Sequence, residues 1–115
     1  MSVVIFHNPL CSKSRATLEL LKARGIAPQV VEYLKTPPSA AGLDDILRRL
    51  ELEPRALMRT KEAEYRQAGL DDPTLSRDAL IRAMVEHPKL IERPIVLNGR
   101  RAALGRPPEA VLKIL

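Results

Sequence analysis

Val3-Val4-Ile5-Phe6-His7-Asn8-Pro9-Leu10-Cys11-Ser12-Lys13-Ser14-Arg15 passes from an apolar, β-branched run through a proline turn into polar residues, and its reading decides the fold. The run Val3 to Phe6 predicts a short buried strand. Pro9 closes a turn. From Ser12 onward, Ala16, Leu18, Leu20 and Leu21 sit among polar residues as far as Gly25, which predicts a helix of about three turns with glycine just past its end. Cys11, the single cysteine of the chain, therefore falls at or just before the N-terminus of that helix. There the unpaired backbone N–H groups and the positive end of the helix dipole favour an anion. Lys13, Arg15 and His7 add positive charge, and all of these act to lower the thiol pKa.

Outward from this stretch, Gln29-Val30-Val31-Glu32-Tyr33-Leu34 reads as a second strand, which makes a βαβ unit with parallel neighbouring strands and a right-handed crossover. Thr36-Pro37-Pro38-Ser39 then breaks the pattern. A helical middle follows: Ser39 is an N-cap candidate, and Leu43, Ile46, Leu47 and Leu50 repeat at i, i+3, i+4, i+7. Pro54 opens a short helical piece through Arg59, and Thr60 to Tyr65 reads as a further capped turn of helix ending near Gly69. Ser76 can cap a helix with Leu80, Ile81, Met84 and Val85 on one face, stopped by Pro88. Strand signal returns at Pro94-Ile95-Val96-Leu97, and Asn98-Gly99 before Arg100 to Leu104 signals a hairpin. Pro107-Pro108-Glu109 opens a C-terminal helix carrying Val111, Leu112 and Leu115. The order β-α-β, helices, β-β-α predicts one α/β domain over residues 1–115. It should hold a four-stranded mixed sheet flanked by helices, with a helical insertion from about Pro38 to Pro88 laid on a thioredoxin-like core.

A chain of 115 residues buries roughly 65% of its unfolded surface, enough for one core without a metal or disulfide staple. One cysteine cannot form an internal disulfide, which points to a reducing compartment. The first residues lack a basic stretch followed by a long apolar one, and no run reaches transmembrane length. The expectation is a soluble, cytoplasmic protein with no membrane partner. Charge is 19 basic against 14 acidic side chains, with a pI near 9.8. The basic residues are scattered, and Phe6, Tyr33 and Tyr65 are too few to build a base-stacking platform, so no nucleic-acid partner is expected. A small anionic substrate would use the same potential.

A lone cysteine is more often a small buried hydrophobe than a nucleophile, but the place before a helix favours the nucleophile here. Ser14 stands where Cys-x-x-Cys would have its second thiol, so Cys-x-x-Ser leaves a monothiol chemistry with a hydroxyl able to hydrogen-bond a thiolate. His7 is within reach of the sulfur after a turn, as a cation or donor, and equally could only cap the strand end. His87, before Pro88 at a helix end, complements the dipole and is given no chemistry. Among the arginines, Arg59, Arg93 and Arg106 stand at element ends, the last two before prolines. Planar guanidinium donors suit tetrahedral oxyanions, although periodicity does not show that the three converge.

His7-Asn8-Pro9-x-Cys11-x-x-Ser14-Arg15, Arg55-Ala56-Leu57-Met58-Arg59, Glu92-Arg93-Pro94-Ile95-Val96 and Gly105-Arg106-Pro107-Pro108-Glu109 together resemble the glutaredoxin-dependent arsenate reductases, the ArsC-like branch of the thioredoxin superfamily. The match runs in order from Val3 to Leu115. The resemblance implies a thioredoxin-like fold, a nucleophilic Cys11, a thiolate kept by His7 and Ser14, and arsenate oxygens bound by Arg59, Arg93 and Arg106. It implies glutathione as co-substrate, glutaredoxin as partner, no tightly bound cofactor and no metal. It also implies a cis Arg93-Pro94 bond, at the cis-proline site of thioredoxin folds. Two other readings belong to related proteins: a glutathione-linked monothiol oxidoreductase without oxyanion chemistry, which would not need all three arginines, and an Spx-like regulator of RNA polymerase, which typically carries the Cys-x-x-Cys switch that Ser14 removes.

Overall fold

The computed structural model of the protein describes residues 2–115. The chain divides into two compact units, Met1–Thr36 with Arg93–Leu115, and Pro37–Glu92.

The first unit is built on a sheet of order β2-β1-β3-β4. Strand β1 (Val3–Phe6) pairs parallel with β2 (Gln29–Val31) and antiparallel with β3 (Ile95–Asn98), which pairs antiparallel with β4 (Arg101–Leu104). This is the mixed four-stranded sheet expected of a thioredoxin-like fold. Helix α1 (Ser12–Ala23) crosses from β1 to β2. Along β1 the alternation of a strand sends Val3 and Ile5 inward, with Ile5 fully buried. They meet Leu21 of α1, Val96 of β3, and Val111 and Ile114 of the last segment in one core. Helix α1 ends because Gly25, at φ +75°, turns the chain left-handed. Gly25 N–H donates to Lys22 O at 2.9 Å and Ile26 N–H to Leu21 O at 3.0 Å, the paired bonds of a Schellman motif with an apolar residue after the glycine.

Three local expectations need correction in this unit. The second strand ends at Val31 rather than Leu34, because the chain turns: the Glu32 carbonyl accepts from Lys35 and Thr36 amides at 2.9 and 3.0 Å instead of extending the ladder. The hairpin turn is Gly99-Arg100, one residue beyond the Asn-Gly reading, since Asn98 still pairs with Arg101 and Gly99 supplies the positive φ at the first turn position. Asn98 is buried at the strand end, and its Nδ2 donates to Ile114 O at 2.6 Å, fastening the C-terminal segment. That segment, Pro108–Ile114, is a 3-10 helix and not an α-helix. At three residues per turn Val111 and Ile114 eclipse and both are buried, while Leu115 stays exposed.

The second unit is helical. Helix α2 (Ala40–Leu50) starts where Ser39 Oγ accepts from Gly42 N–H at 3.0 Å, and α4 (Arg77–Glu86) where Ser76 Oγ accepts from Ala79 N–H at 3.1 Å. Leu43, Ile46 and Leu47 of α2 face α4, which buries Leu80, Ile81, Ala83 and Met84. Asp44 fastens the pair, accepting from Arg48 Nε at 2.9 Å and Arg77 Nη2 at 2.8 Å. Between them lie a 3-10 turn at Pro54–Leu57, the short helix α3 (Ala63–Gln67) and a 3-10 turn at Pro88–Leu90. Arg59 N–H donates to Leu90 O and Glu92 N–H to Leu57 O, each at 2.7 Å, around a bridge between Met58 and Ile91. Among the described residues no helix is long and apolar enough to cross a membrane.

Truncating the fully buried Ile5 leaves a cavity at the centre of the first unit's core. We expect Ile5→Ala to lower unfolding stability by about 3 kcal/mol, against about 1 kcal/mol for the cap variant Ser39→Ala. Urea denaturation of both variants checks the difference.

Candidate active site

Cys11 is the N-cap of α1, with extended backbone at φ −95° and ψ 124°. The turn before it is set by Asn8, whose Oδ1 accepts from Leu10 N–H at 3.0 Å while its carbonyl accepts from Cys11 N–H at 3.0 Å. Arg15 reaches back from α1 and donates from Nη1 to Pro9 O at 2.9 Å, which ties the turn to the helix. As a thiol, the Cys11 side chain makes no capping bond. As a thiolate it gains partners. Burial raises the Cys11 pKa and is the largest single influence. The Ser14 amide, the Arg93 guanidinium, the Lys13 amide and the Arg106 guanidinium act against it, and the net result lies below the ordinary 9.0.

Behind the sulfur lies a buried polar pair. Ser14 is fully buried and His7 nearly so, and His7 Nδ1 lies 2.6 Å from Ser14 Oγ. Asn8 N–H donates to the same oxygen at 3.0 Å. The Asn8 amide occupies one lone pair of the hydroxyl, and the direction of the His7–Ser14 bond follows the imidazole tautomer. Burial lowers the His7 pKa below 6.5; the Glu32 charge raises it, and Arg15 and Lys22 lower it. The imidazole is therefore neutral at pH 7. His7 is bonded to Ser14 at the end of β1, and the Ser14 amide is among the groups that lower the Cys11 pKa.

Arg93 and Arg106 both belong to the unit of Cys11, and both act on it electrostatically. Arg106 Nη1 donates to Arg93 O at 3.3 Å. The Arg93-Pro94 bond is cis, as the resemblance implied, and so is Arg106-Pro107. Arg59 lies in the second unit, where its Nη2 is 2.8 Å from Glu62 Oε1, and Lys89 Nζ stands 3.6 Å from Glu62 Oε2. Its motif neighbour Arg55 is structural: it donates to Tyr65 Oη at 2.6 Å and to the carbonyls of Leu70 and Asp72, pinning the loop after α3. His87 caps the end of α4. Among the described residues no cluster of His, Cys, Asp or Glu could hold a metal.

Asn8, Thr17, Glu62 and the packing role of Gly105 emerge only from the structure. The Asn-Pro pair marked the turn around Asn8, and Glu62 stands at i+3 from Arg59, a helix-type charge spacing that could have been noticed. Nothing local marks Thr17 or Gly105.

The ArsC family profile matches residues 6–114. The chain belongs to the ArsC family. Relatives of this ArsC-family protein include an arsenate reductase of Neisseria meningitidis serogroup B, 54% identical over 114 residues, 98% of this chain and 97% of that protein. Another is the Escherichia coli K12 protein YfgD, described as uncharacterized, 55% identical over 98% of this chain and 96% of its own. A solved structure described as an arsenate reductase from Vibrio cholerae superposes with a TM-score of 0.98 at 59% identity, covering all of this chain and 98% of that one.

The ArsC site titrates in two ways that can be measured. Alkylation of Cys11 by iodoacetamide should follow a midpoint below 9.0, and Arg93→Ala or Arg106→Ala should move it upward, because removing a cation disfavours the thiolate. An unchanged midpoint in both variants would remove the arginines from the sulfur's field. For His7, the unfolded chain binds a proton near 6.5 that the folded protein resists. Stability therefore rises with pH between the folded and unfolded pKa values, and falls as pH drops through that window. We expect His7→Asn to flatten this part of the stability profile in urea denaturation from about pH 5 to 8.

Proposed function

We propose that this ArsC-family protein is an arsenate reductase that works through the Cys11 thiolate, with glutathione and glutaredoxin as reductants. One observation carries the reading: a sulfur at the head of α1 whose pKa is lowered by two amides and by Arg93 and Arg106. Relatives named as arsenate reductases over nearly the full chain support the choice of oxyanion.

In this mechanism the thiolate attacks arsenic and oxygen departs as water, leaving a sulfur–arsenic bond. Glutathione attacks the adduct, and two electrons from the two thiols reduce arsenic as they become a mixed disulfide. Arsenite leaves, and glutaredoxin returns Cys11 to the thiol. The single cysteine suits this route, because the resolving thiol comes from outside. Arg93 and Arg106 hold oxyanion charge as it shifts in the transition state, and their fork of donors suits the tetrahedral geometry. Arg59 is assigned to the oxyanion by its motif. The reductants belong to a reducing compartment, so we place the protein in the cytoplasm.

The test is arsenite production by the purified protein with arsenate, glutathione, glutaredoxin and NADPH-coupled recycling. Cys11→Ser should reduce turnover to background, and Arg93→Ala should lower kcat/KM by about 10²-fold to 10³-fold. An active Cys11→Ser protein would remove the nucleophile assignment. No turnover in a protein whose Cys11 still titrates low would remove arsenate and leave the thiolate site to another oxyanion.

A further inference from the structure

Gly105 occupies a point where three segments meet within the first unit. Its N–H donates to Pro94 O at 2.9 Å. A Cβ built on it would stand 2.5 Å from Thr17 Oγ1, 2.7 Å from Pro94 Cγ and 3.1 Å from Thr17 Cγ2. Carbon atoms do not approach a neighbour so closely, so any side chain at this position must push a segment away. Thr17 cannot swing aside at no cost, being fully buried with Oγ1 donating to Lys13 O at 2.8 Å inside α1. Pro94 is a buried ring with no rotamer to change. The φ of Gly105 is not left-handed, so backbone conformation does not demand glycine there. The space does.

The three contacting segments are the ones that carry the chemistry. Thr17 lies on α1, headed by Cys11; Pro94 follows Arg93; Gly105 precedes Arg106. We propose that Gly105 is a positioning residue: its missing side chain lets the Arg93 and Arg106 segments close onto α1 and so sets where both guanidiniums stand relative to the Cys11 sulfur. It acts through the arginines and touches no substrate. The inference rests on the reading of Cys11 as a nucleophile flanked by Arg93 and Arg106, and does not depend on which oxyanion is reduced.

The experiment is the pH dependence of iodoacetamide alkylation of Cys11 in the full chain carrying Gly105→Ala, with circular dichroism to confirm folding. The midpoint should rise by about one pH unit, tenfold in thiolate fraction below the midpoint. A residue that only packs would lower the melting temperature and leave the midpoint in place. Adding Thr17→Ala, which deletes both Thr17 atoms in the clash, should bring the midpoint part-way back. A folded Gly105→Ala protein that titrates like the parent overturns the proposal, and so does a double variant that titrates no lower than the single one. Should the single variant not fold, the double variant is compared with Thr17→Ala alone: a higher midpoint supports the proposal, an equal one overturns it. Arg93→Ala and Arg106→Ala separate the two levels. If neither moves the midpoint the parent reading fails, whereas a shift in them without one in Gly105→Ala overturns only this inference.

Discussion

The Ser14 hydroxyl, fully buried, is bonded on one side to the Asn8 amide and on the other to His7 Nδ1, and the geometry at Cys11 depends on that double attachment. A buried hydroxyl left without partners costs on the order of 1–3 kcal/mol, so the first turn of α1 is drawn against the end of β1 until both bonds are made. The consequence reaches the sulfur through the backbone. With the Ser14 side chain facing inward, its N–H and that of Lys13 face the N-cap residue, where a thiolate gains them and a thiol does not. Anion stabilisation at Cys11 is thus made by main-chain groups that need no reorganisation, and two guanidiniums supplement it.

The arginines of this chain divide by what they touch. Arg55 is occupied by a tyrosine hydroxyl and two carbonyls, and Arg77 and Arg48 by Asp44; these hold loops and helices together. Arg93 instead precedes Pro94 and Arg106 follows Gly105 at the packing point of those two residues, and the charge of both arginines falls on the sulfur. Arg59 is held by the Glu62 carboxylate, which Lys89 Nζ also approaches at 3.6 Å.

Much of this was legible in residues three or four apart. Ser39 and Ser76 cap the helices they were expected to cap, because an N-cap is a contact between a side chain and an amide three residues on. The strand Val3–Phe6, the proline turn and the amphipathic run to Gly25 place Cys11 by the same short-range rules. Where the local reading slipped, a distant partner decided. Asn98 reads as a turn residue, yet it pairs with Arg101 and reaches the carbonyl of Ile114. The last segment reads as an α-helix, yet it winds as a 3-10 helix with Val111 and Ile114 both buried. For His7, sequence spacing left a bond to sulfur and a strand cap equally open, and the structure shows it bonded to Ser14.

By itself the sequence determined the order of elements, the helix starts and stops, and a single cysteine ahead of a helix N-terminus, since each is written in propensities and periods acting over one or two turns. Only the tertiary structure decided which polar groups are buried together, how far β2 extends, and why position 105 has no side chain. Those depend on close approach between segments such as Thr17, Pro94 and Gly105, far apart in the chain, and excluded volume between such segments leaves no mark in local sequence.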